Sequence, residues 1–343
     1  MVASRRYDFV DLLRGIAAMT VLVCHYRWFF ARHPSDWRTD ISLPGYSMLW
    51  PIYDHGEVAV FLFWILSGFV FAVAYGRFGK DLSVREFAIH RVARLYPLHL
   101  ATLFFMAALQ AISMASLGQF TIYPNNDVPH FLQHLAFASN WFTMESSFNA
   151  PIWSVSIEVL IYGLFLIYLK RTGLSFWPAI AIGLAAFVIE RLTHNRLALC
   201  AALFFGGVLL QRFRFGLGLS MVGFATAIAV TALTGSQGAF IYLGTPTLLA
   251  VFIALDDKYR LPEQLRWIGL STYSIYLLHM PILVAIKLAI GPIPLWLFIA
   301  IVLVAAILTF HFFERPAQDH IRARWLTVKH GEAARPSQGA INP

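Results

Sequence analysis

Runs of about 20 apolar residues, the length that a helix needs to cross a bilayer, recur along the whole chain. We delimit ten of them, at roughly 9–30, 56–75, 97–117, 152–169, 175–190, 197–211, 217–234, 238–255, 267–289 and 294–313. Hydrophobic residues make up 59% of the 343 residues and charged residues only 13%, and a soluble fold of this size cannot bury so much apolar surface. The sequence therefore predicts an all-α polytopic membrane protein with about ten transmembrane helices.

The distribution of Lys and Arg predicts the orientation of these helices. With the N-terminus inside, 19 of the 26 Lys and Arg residues flank the inner helix ends and five flank the outer ends. The longest outer segment, 118–151, contains neither residue type. The positive-inside rule then places both termini in the cytoplasm. It also explains the net charge of +8 without a nucleic-acid partner. We expect a membrane domain over 1–320 and a polar cytoplasmic tail over 321–343.

Segment 83–96 alternates basic and apolar residues at helical spacing, which predicts an interfacial helix on the inner membrane surface. Arg91 and Arg94 are three residues apart and so share one face of that helix. Arginine suits bidentate recognition of phosphate. Attraction to anionic lipid headgroups would explain the pair equally well.

Ionisable residues inside an apolar span are costly and need a partner, water or a function. The candidates are Arg14, His25, Glu57, Glu158, His279, Lys287 and His311. Arg14 and His25 are eleven residues apart, so they lie on one helix face, separated by about 16 Å along the axis. A snorkelling arginine and a hydrogen-bonded core histidine are the alternative interpretation, and Asp11 offers Arg14 a local partner.

Glu158 lies on another span at a similar predicted depth. It is about 10 Å below the outer surface and His25 about 8 Å below it, at 1.5 Å per residue. Such a pair could orient the His25 tautomer and stabilise its imidazolium form, although a packing contact would also satisfy the carboxyl. Ser154 and Ser156 could serve either the site or helix packing, as could Ser67 and Gly68 near mid-membrane.

Tyr276 and His279 lie in another apolar span, close before Pro281. With Arg91 and Arg94 at the inner mouth, Arg14 above them, and His25 with Glu158 in the outer half, one polar track is expected through the bundle. Such a track suits a proton or solute pathway as well as an enzyme.

Six sequence blocks, in order from about residue 8 to residue 316, resemble those of the membrane-bound acyltransferase family 3. They are YDFVDLLRGIAAMTVLVCHY with Arg14 and His25, GEVAVFLFWILSGFVFA, REFAIHRVARLYPLHL with Arg91 and Arg94, PIWSVSIEVLIYGLF with Trp153, Ser154, Ser156 and Glu158, STYSIYLLHMPI with His279, and FERP at 313–316. Trp64 and Val159 depart from the family's usual pattern. Some members of the family carry a fused hydrolase-like domain, which we do not expect here.

The resemblance implies an O-acyltransferase of the bacterial inner membrane, with acetyl-CoA as the usual donor, no metal, and surrounding lipids as its other partners. The acceptor would be a hydroxyl of an envelope or exported carbohydrate, or of a small secondary metabolite. The implied catalytic residues are His25, Glu158 and Arg14, and the implied donor-binding residues are Arg14, Arg91 and Arg94. The implied substrate-binding or supporting residues are Trp153, Ser154, Ser156, Ser67, Tyr276 and His279. The rival class is a proton-coupled transporter, which predicts inverted repeats that the sequence does not display.

Overall fold

The computed structural model describes residues 7–31, 43–141, 145–262 and 266–326, and every regular element within them is helical. The first eight helices are α1 (Asp8–His25), α2 (Tyr46–His55), α3 (Val58–Tyr75), α4 (Val84–Leu117), α5 (Val128–Leu135), α6 (Ile152–Thr172), α7 (Phe176–Thr193) and α8 (Arg196–Leu210). The remaining helices are α9 (Leu217–Thr234), α10 (Gln237–Ala239), α11 (Thr245–Lys258), α12 (Arg266–Leu270), α13 (Thr272–Ala289), α14 (Leu295–Thr309) and α15 (Arg315–Leu326).

Nine helical stretches of the described chain are long and apolar enough to cross a membrane, and they confirm the predicted all-α polytopic fold. They are Asp8–Phe29, Val58–Asp81, Val84–Leu117, Ile152–Thr172, Phe176–Thr193, Leu217–Thr234, Gln237–Lys258, Thr272–Ala289 and Leu295–Leu326. The remaining predicted span, 197–211, corresponds to α8, an apolar helix of 15 residues. The cytoplasmic location of both termini stays a prediction.

The predicted interfacial helix over 83–96 is wrong, because these residues begin the 34-residue helix α4. The Ser83 hydroxyl caps its N-terminus by accepting from the amide of Glu86 at 3.3 Å, and the helix then runs through Pro97 to Gly118 without a break. No turn signal separates the basic and apolar parts. One helix therefore carries the arginines from the membrane surface into the bundle.

Helix α15 continues α14 through a π-helical turn at Phe310–Glu314 and packs against α4. Its last residue is Leu326, six residues beyond the expected boundary of the membrane domain at 320. The rest of the predicted tail, 327–343, lies outside the described residues. The division into domains stays a prediction.

Helix α1 lies at the centre of the bundle, in contact with α2, α3, α11, α12 and α13. The Asp256 carboxylate of α11 accepts hydrogen bonds from the amides of Phe9 and Val10, at 2.9 and 3.1 Å. A carboxylate at a helix N-terminus satisfies free amides and complements the helix dipole. This contact anchors the end of α1 from which Arg14 enters the bundle.

Close helix packing holds α3 against α8. Gly68 lies so near the Phe204 backbone that an added Cβ would be 1.8 Å from its carbonyl oxygen, and Gly207 approaches the Ile65 carbonyl in the same way. The prediction that Gly68 permits close backbone approach is confirmed. The contact fixes the helix that carries Ser67 and Phe71 into the site.

Candidate active site

Two cavities lie along α1. The inner one, of about 120 Å³, is lined by Arg14, and the outer one, of about 470 Å³, is lined by His25. The structure thus brings both predicted residues of α1 to cavities, but it corrects the expectation of one continuous track. None of the described residues lines both spaces.

The inner cavity is basic. Arg14, Arg91 and Arg94 all line it, with Glu158 as its carboxylate. Arg14 pairs with Asp11 at 3.2 Å, and more than a quarter of its side chain stays exposed. Three guanidinium groups around so small a space favour an anionic ligand.

Arg94 is held by a carboxylate that sequence reasoning missed. Its guanidinium forms an ion pair with Glu314, which is 1% exposed and also accepts hydrogen bonds from Ser274 and Gln318. The signal for this residue lay in the FERP block, where an acid follows an apolar span. From the sequence alone, this block indicates only the end of that span.

Arg91 is held by aromatic rings instead. Its guanidinium carbon lies 4.7 Å from the Phe71 ring centre, 5.5 Å from that of Tyr75 and 5.9 Å from that of Tyr162. No carboxylate pairs with it within the described ranges, and its buried Nε has no hydrogen-bond acceptor there. Cation–π contacts therefore position the group while its hydrogen-bond donors stay available.

Glu158 belongs to the inner cavity. Its carboxylate accepts a hydrogen bond from Tyr162 at 2.8 Å and shares the lining of this cavity with Ser67. The described residues form no Glu158–His25 hydrogen bond, so the predicted pairing is wrong for this structure. Glu158 lines the inner cavity, whereas His25 lines the outer one, so the structure does not bring the two groups together.

The His25 ring is oriented by its own helix. Nδ1 lies 2.8 Å from the Val21 carbonyl oxygen, which can only accept a hydrogen bond. In the neutral ring Nδ1 therefore carries the proton, and Nε2 is the basic nitrogen. His279 packs against this ring with centroids 5.0 Å apart.

His279 has the same local geometry as His25. Its Nδ1 lies 3.2 Å from the Ile275 carbonyl, and its buried Nε2 has no hydrogen-bond partner among the described residues. The side chain is fully buried. His279, a predicted supporting residue, is therefore a buried histidine that lies beside His25, the candidate base.

Ser154 and Tyr276 line the inner cavity. Their hydroxyls are 2.8 Å apart, and each is also within hydrogen-bonding distance of the Pro151 carbonyl. Phe63 packs on the Tyr276 ring at 5.7 Å. Because Pro151 lines the outer cavity, these contacts join the linings of the two cavities.

The outer cavity combines aromatic and polar side chains. Trp28, Tyr123 and Trp153 line it together with Asn125, Ser146, Glu57 and Arg196. The Arg196 guanidinium stacks on the Trp153 ring at 4.7 Å. Pockets of this composition bind and orient small polar molecules that have an apolar face.

Ser156 has a different role from the predicted one. Its hydroxyl donates to the Phe137 carbonyl at 2.6 Å, and the Trp141 indole donates to the Ser156 carbonyl at 2.9 Å. Ser156 lines neither cavity. Ser156 and Trp141 anchor the outer loop to α6.

The outer loop reaches deep into the bundle. The Tyr96 hydroxyl donates to the Leu135 carbonyl, and His99 Nε2 lies 2.7 Å from the His134 carbonyl. Tyr96 is 21 residues from the end of α4 at Leu117, or about 31 Å along that helix. The loop therefore re-enters the bundle and covers the outer cavity.

Docking of this loop is expected to weaken below about pH 6.5. Burial, together with nearby His99 and His130, lowers the pKa of His134 from 6.5 to about 3. The folded ring stays neutral, whereas the released ring binds a proton once the pH falls below 6.5. The contribution of His134 is therefore complete above pH 6.5 and is lost as the pH falls toward 3. Hydrogen exchange of α5 amides, corrected for intrinsic rates, should accelerate between pH 7 and pH 5.

His130 provides the control. Partial burial opposes its protonation, but hydrogen bonds with Asp127 and Glu145 raise its pKa above 6.5. Its contribution to docking is thus complete below pH 6.5 and decreases only as the pH rises above that value, so His130 cannot cause the docking to weaken as the pH falls. His130→Gln should keep the pH-dependent acceleration, and His134→Asn should remove it. Acceleration that persists in His134→Asn would assign it to another group.

The remaining intramembrane candidates have local structural roles. Lys287 Nζ donates to the carbonyls of Trp28 and Ala31, and thereby caps the end of the first span. His311 is exposed, with Nδ1 2.9 Å from the Ile307 carbonyl. Glu57, in contrast, lines the outer cavity and accepts a hydrogen bond from Gln237 at 3.0 Å.

Comparison with known proteins identifies the family. The model of acyltransferase family 3, described as an acyltransferase domain, matches residues 7–313. Acyltransferase MdmB of Streptomyces mycarofaciens is 34% identical over 155 residues, 44% of this chain and 36% of that protein. Protein 2 in the picA locus of Rhizobium radiobacter is 34% identical over 105 residues, 30% of this chain and 45% of that protein. The matches thus span less than half of either relative's length, and no solved structure matches significantly. Because the family model covers most of its length, the chain belongs to acyltransferase family 3.

Proposed function

We propose that this protein is an O-acyltransferase of the bacterial inner membrane. It moves an acetyl or other acyl group from cytoplasmic acyl-CoA to a hydroxyl of an envelope or exported carbohydrate. One observation carries the proposal: α1 contributes Arg14 to a basic inner cavity and His25 to a larger outer cavity. The two ends of one helix thus serve a charged donor on one side and a neutral hydroxyl acceptor on the other.

The donor binds at the inner cavity in this proposal. Arg91 is the main phosphate ligand, because the aromatic rings hold it without neutralising its charge. Arg94 is already paired with Glu314 and adds positive potential. Arg14 lies on α1, and it holds either a phosphate or the thioester region of the donor.

His25 acts as the general base. Nε2 takes the proton from the acceptor hydroxyl while the oxygen attacks the thioester carbonyl. The new ester C–O bond forms, the C–S bond breaks, and the leaving thiolate takes the proton back from the imidazolium. Transient acylation of His25 is the covalent variant.

The two cavities must join for this chemistry, because no described residue lines both of them. In this proposal the pantetheine arm passes the hydrogen-bonded pair Ser154 and Tyr276, which lines the inner cavity. Until the cavities join, water is kept away from the thioester. The acceptor binds in the outer cavity, where three aromatic rings accompany short polar side chains. This lining supports a sugar as the acceptor.

Purified protein in nanodiscs, supplied with radiolabelled acetyl-CoA, tests the function. We expect slow thioester hydrolysis, and transfer when the correct acceptor is added. Mass comparison of glycans from a deletion strain and its parent identifies that acceptor. If the deletion strain instead lacks an acetyl group on a secondary metabolite, the acceptor is a small metabolite and not a carbohydrate of the envelope. No binding or turnover of acetyl-CoA would refute the donor.

Arg91→Ala is expected to weaken CoA binding by about 10- to 100-fold, since hydrogen bonds to charged groups contribute roughly 1.5–3 kcal/mol each. Calorimetric titration of CoA into the solubilised protein measures the change. Arg85→Ala is the matched control, because Arg85 is an exposed arginine of the same helix that does not line the cavity. Unchanged affinity in Arg91→Ala would assign Arg91 to lipid contact.

A further inference from the structure

Two helices of the bundle are longer than a bilayer requires. α4 has 34 residues and the continuous stretch Leu295–Leu326 has 32, which correspond to about 51 and 48 Å. The hydrocarbon core is only about 30 Å thick. Since α15 packs against α4, their surplus ends lie side by side on the predicted cytoplasmic side. This two-helix extension adjoins the inner cavity.

A second basic group lies on this extension, beside the inner cavity. His90 of α4 is the chain neighbour of Arg91, and the charges of both Arg91 and Arg322 of α15 act on its ring. Arg322 therefore lies near His90, on the helix that packs against this part of α4. The family match ends at residue 313, so α15 is an addition beyond the matched region.

Both arginines keep an unused hydrogen-bond donor. The Nε atoms of Arg91 and Arg322 are buried and have no acceptor in the described parts of the chain. Arg322 also donates to Gln318 at 3.0 Å and lies 3.8 Å from the Asp319 carboxylate, with 35% of its side chain exposed. These contacts fix the guanidinium but leave part of it accessible to an anion.

The same contacts link Arg322 to the inner cavity. Gln318, which accepts from Arg322, donates to Glu314 at 3.0 Å, and Glu314 holds Arg94. A hydrogen-bonded chain thus connects the half-buried Arg322 of α15 with the half-buried Arg94 of α4. The packing of α15 against α4 and these side-chain contacts together set the spacing between Arg322 and Arg94.

We propose that Arg322, together with His90, binds the 3′-phosphate on the ribose of acyl-CoA, while Arg91 binds the pyrophosphate. The inference rests on the proposed use of acyl-CoA as donor. CoA carries phosphate at two separate places, and the extension offers two adjacent basic groups with unused donors. Guanidinium groups bind phosphate oxygens bidentately, and this geometry gives specificity as well as affinity.

The 3′-phosphate is tested by removing it from the ligand. CoA and 3′-dephospho-CoA are titrated calorimetrically into the full chain, in nanodiscs of phosphatidylcholine. Wild-type protein is expected to bind CoA about tenfold more tightly than 3′-dephospho-CoA. Arg322→Ala should remove this difference by weakening CoA binding alone, and Arg322→Lys should restore part of it.

Arg324→Ala is the matched control. Arg324 is an exposed arginine of the same helix, and two residues correspond to about 200° of rotation, so it points away from Arg322. This variant should keep the tenfold difference. Unfolding temperatures of all variants establish that α15 still docks on α4.

Four outcomes overturn the proposal. Equal wild-type affinity for CoA and 3′-dephospho-CoA would exclude the 3′-phosphate contact and leave the donor standing. Equal weakening of both ligands in Arg322→Ala would mean that Arg322 acts through Glu314 on Arg94. If the tenfold difference between CoA and 3′-dephospho-CoA disappears in nanodiscs that contain anionic phosphatidylglycerol, a lipid headgroup occupies the site at Arg322. If wild-type protein binds neither ligand, the proposed acyl-CoA donor fails as well.

Discussion

Replacing His25 with alanine is expected to lower the turnover of acyl transfer by about 10²- to 10⁴-fold without unfolding the protein. The Val21 carbonyl places the proton on Nδ1, so Nε2 is the basic nitrogen of the neutral ring. Alanine removes that nitrogen and leaves no proton acceptor for the attacking hydroxyl. Labelled acetyl transfer, measured with CoA affinity on the same preparation, separates loss of chemistry from loss of donor binding.

His311→Ala is the matched control for this experiment. His311 makes the same kind of contact, from Nδ1 to a carbonyl four residues earlier, but its ring is exposed and lines neither cavity. The variant should keep wild-type turnover. Turnover near the wild-type rate in a folded His25→Ala protein would remove His25 as the base. If the wild-type protein retains label after acid quenching and His25→Ala does not, the result favours the covalent variant, in which His25 is acylated.

The parts of the site that lie on one helix could be predicted from the sequence. Arg14 and His25 follow from helical periodicity alone, because eleven residues complete almost whole turns. Arg91 and Arg94 follow from their spacing in the same way. Local geometry fixes such pairs, and tertiary contacts do not move them relative to one another.

The partners of these residues could not be predicted, because they come from distant parts of the chain. Glu314 and Arg94 are 220 residues apart, and no periodicity relates two separate helices. The pairing of Glu158 with His25 failed because a similar depth on two helices does not determine which cavity each side chain faces. The anchors of the re-entrant loop, such as the Tyr96–Leu135 and Ser156–Phe137 contacts, likewise join segments that are unrelated in sequence.

The number of spans was more predictable than their lengths. Apolar runs locate the helices because each must satisfy its backbone inside the bilayer. The basic residues before Tyr96 are not part of an apolar run, so they do not indicate that the helix extends through them. A helix can leave the membrane without changing its backbone hydrogen bonding. The continuity of α4 and the docking of α15 on it therefore emerged only from the structure.

Gly207→Ala is expected to destabilise the protein by about 3 kcal/mol or more, at the upper end of overpacking costs. Its added Cβ would lie 2.0 Å from the Ile65 carbonyl oxygen and 2.8 Å from the Phe69 nitrogen. These are backbone atoms, which cannot rotate away as a side chain would, so α3 and α8 must separate. Because α3 carries Ser67 and Phe71 into the inner cavity, CoA affinity should fall together with the unfolding temperature.

Gly206→Ala, one residue earlier, separates this contact from the general effect of alanine in a helix. There the added Cβ would lie 3.9 Å from the Ile65 Cδ1 atom, an ordinary contact. Alanine also favours the helix over glycine by roughly 0.5–1 kcal/mol, so this variant should be as stable as the wild type or slightly more stable. Thermal unfolding in detergent measures both variants. Equal stability of Gly206→Ala and Gly207→Ala would show that the α3–α8 contact does not hold the inner cavity in place.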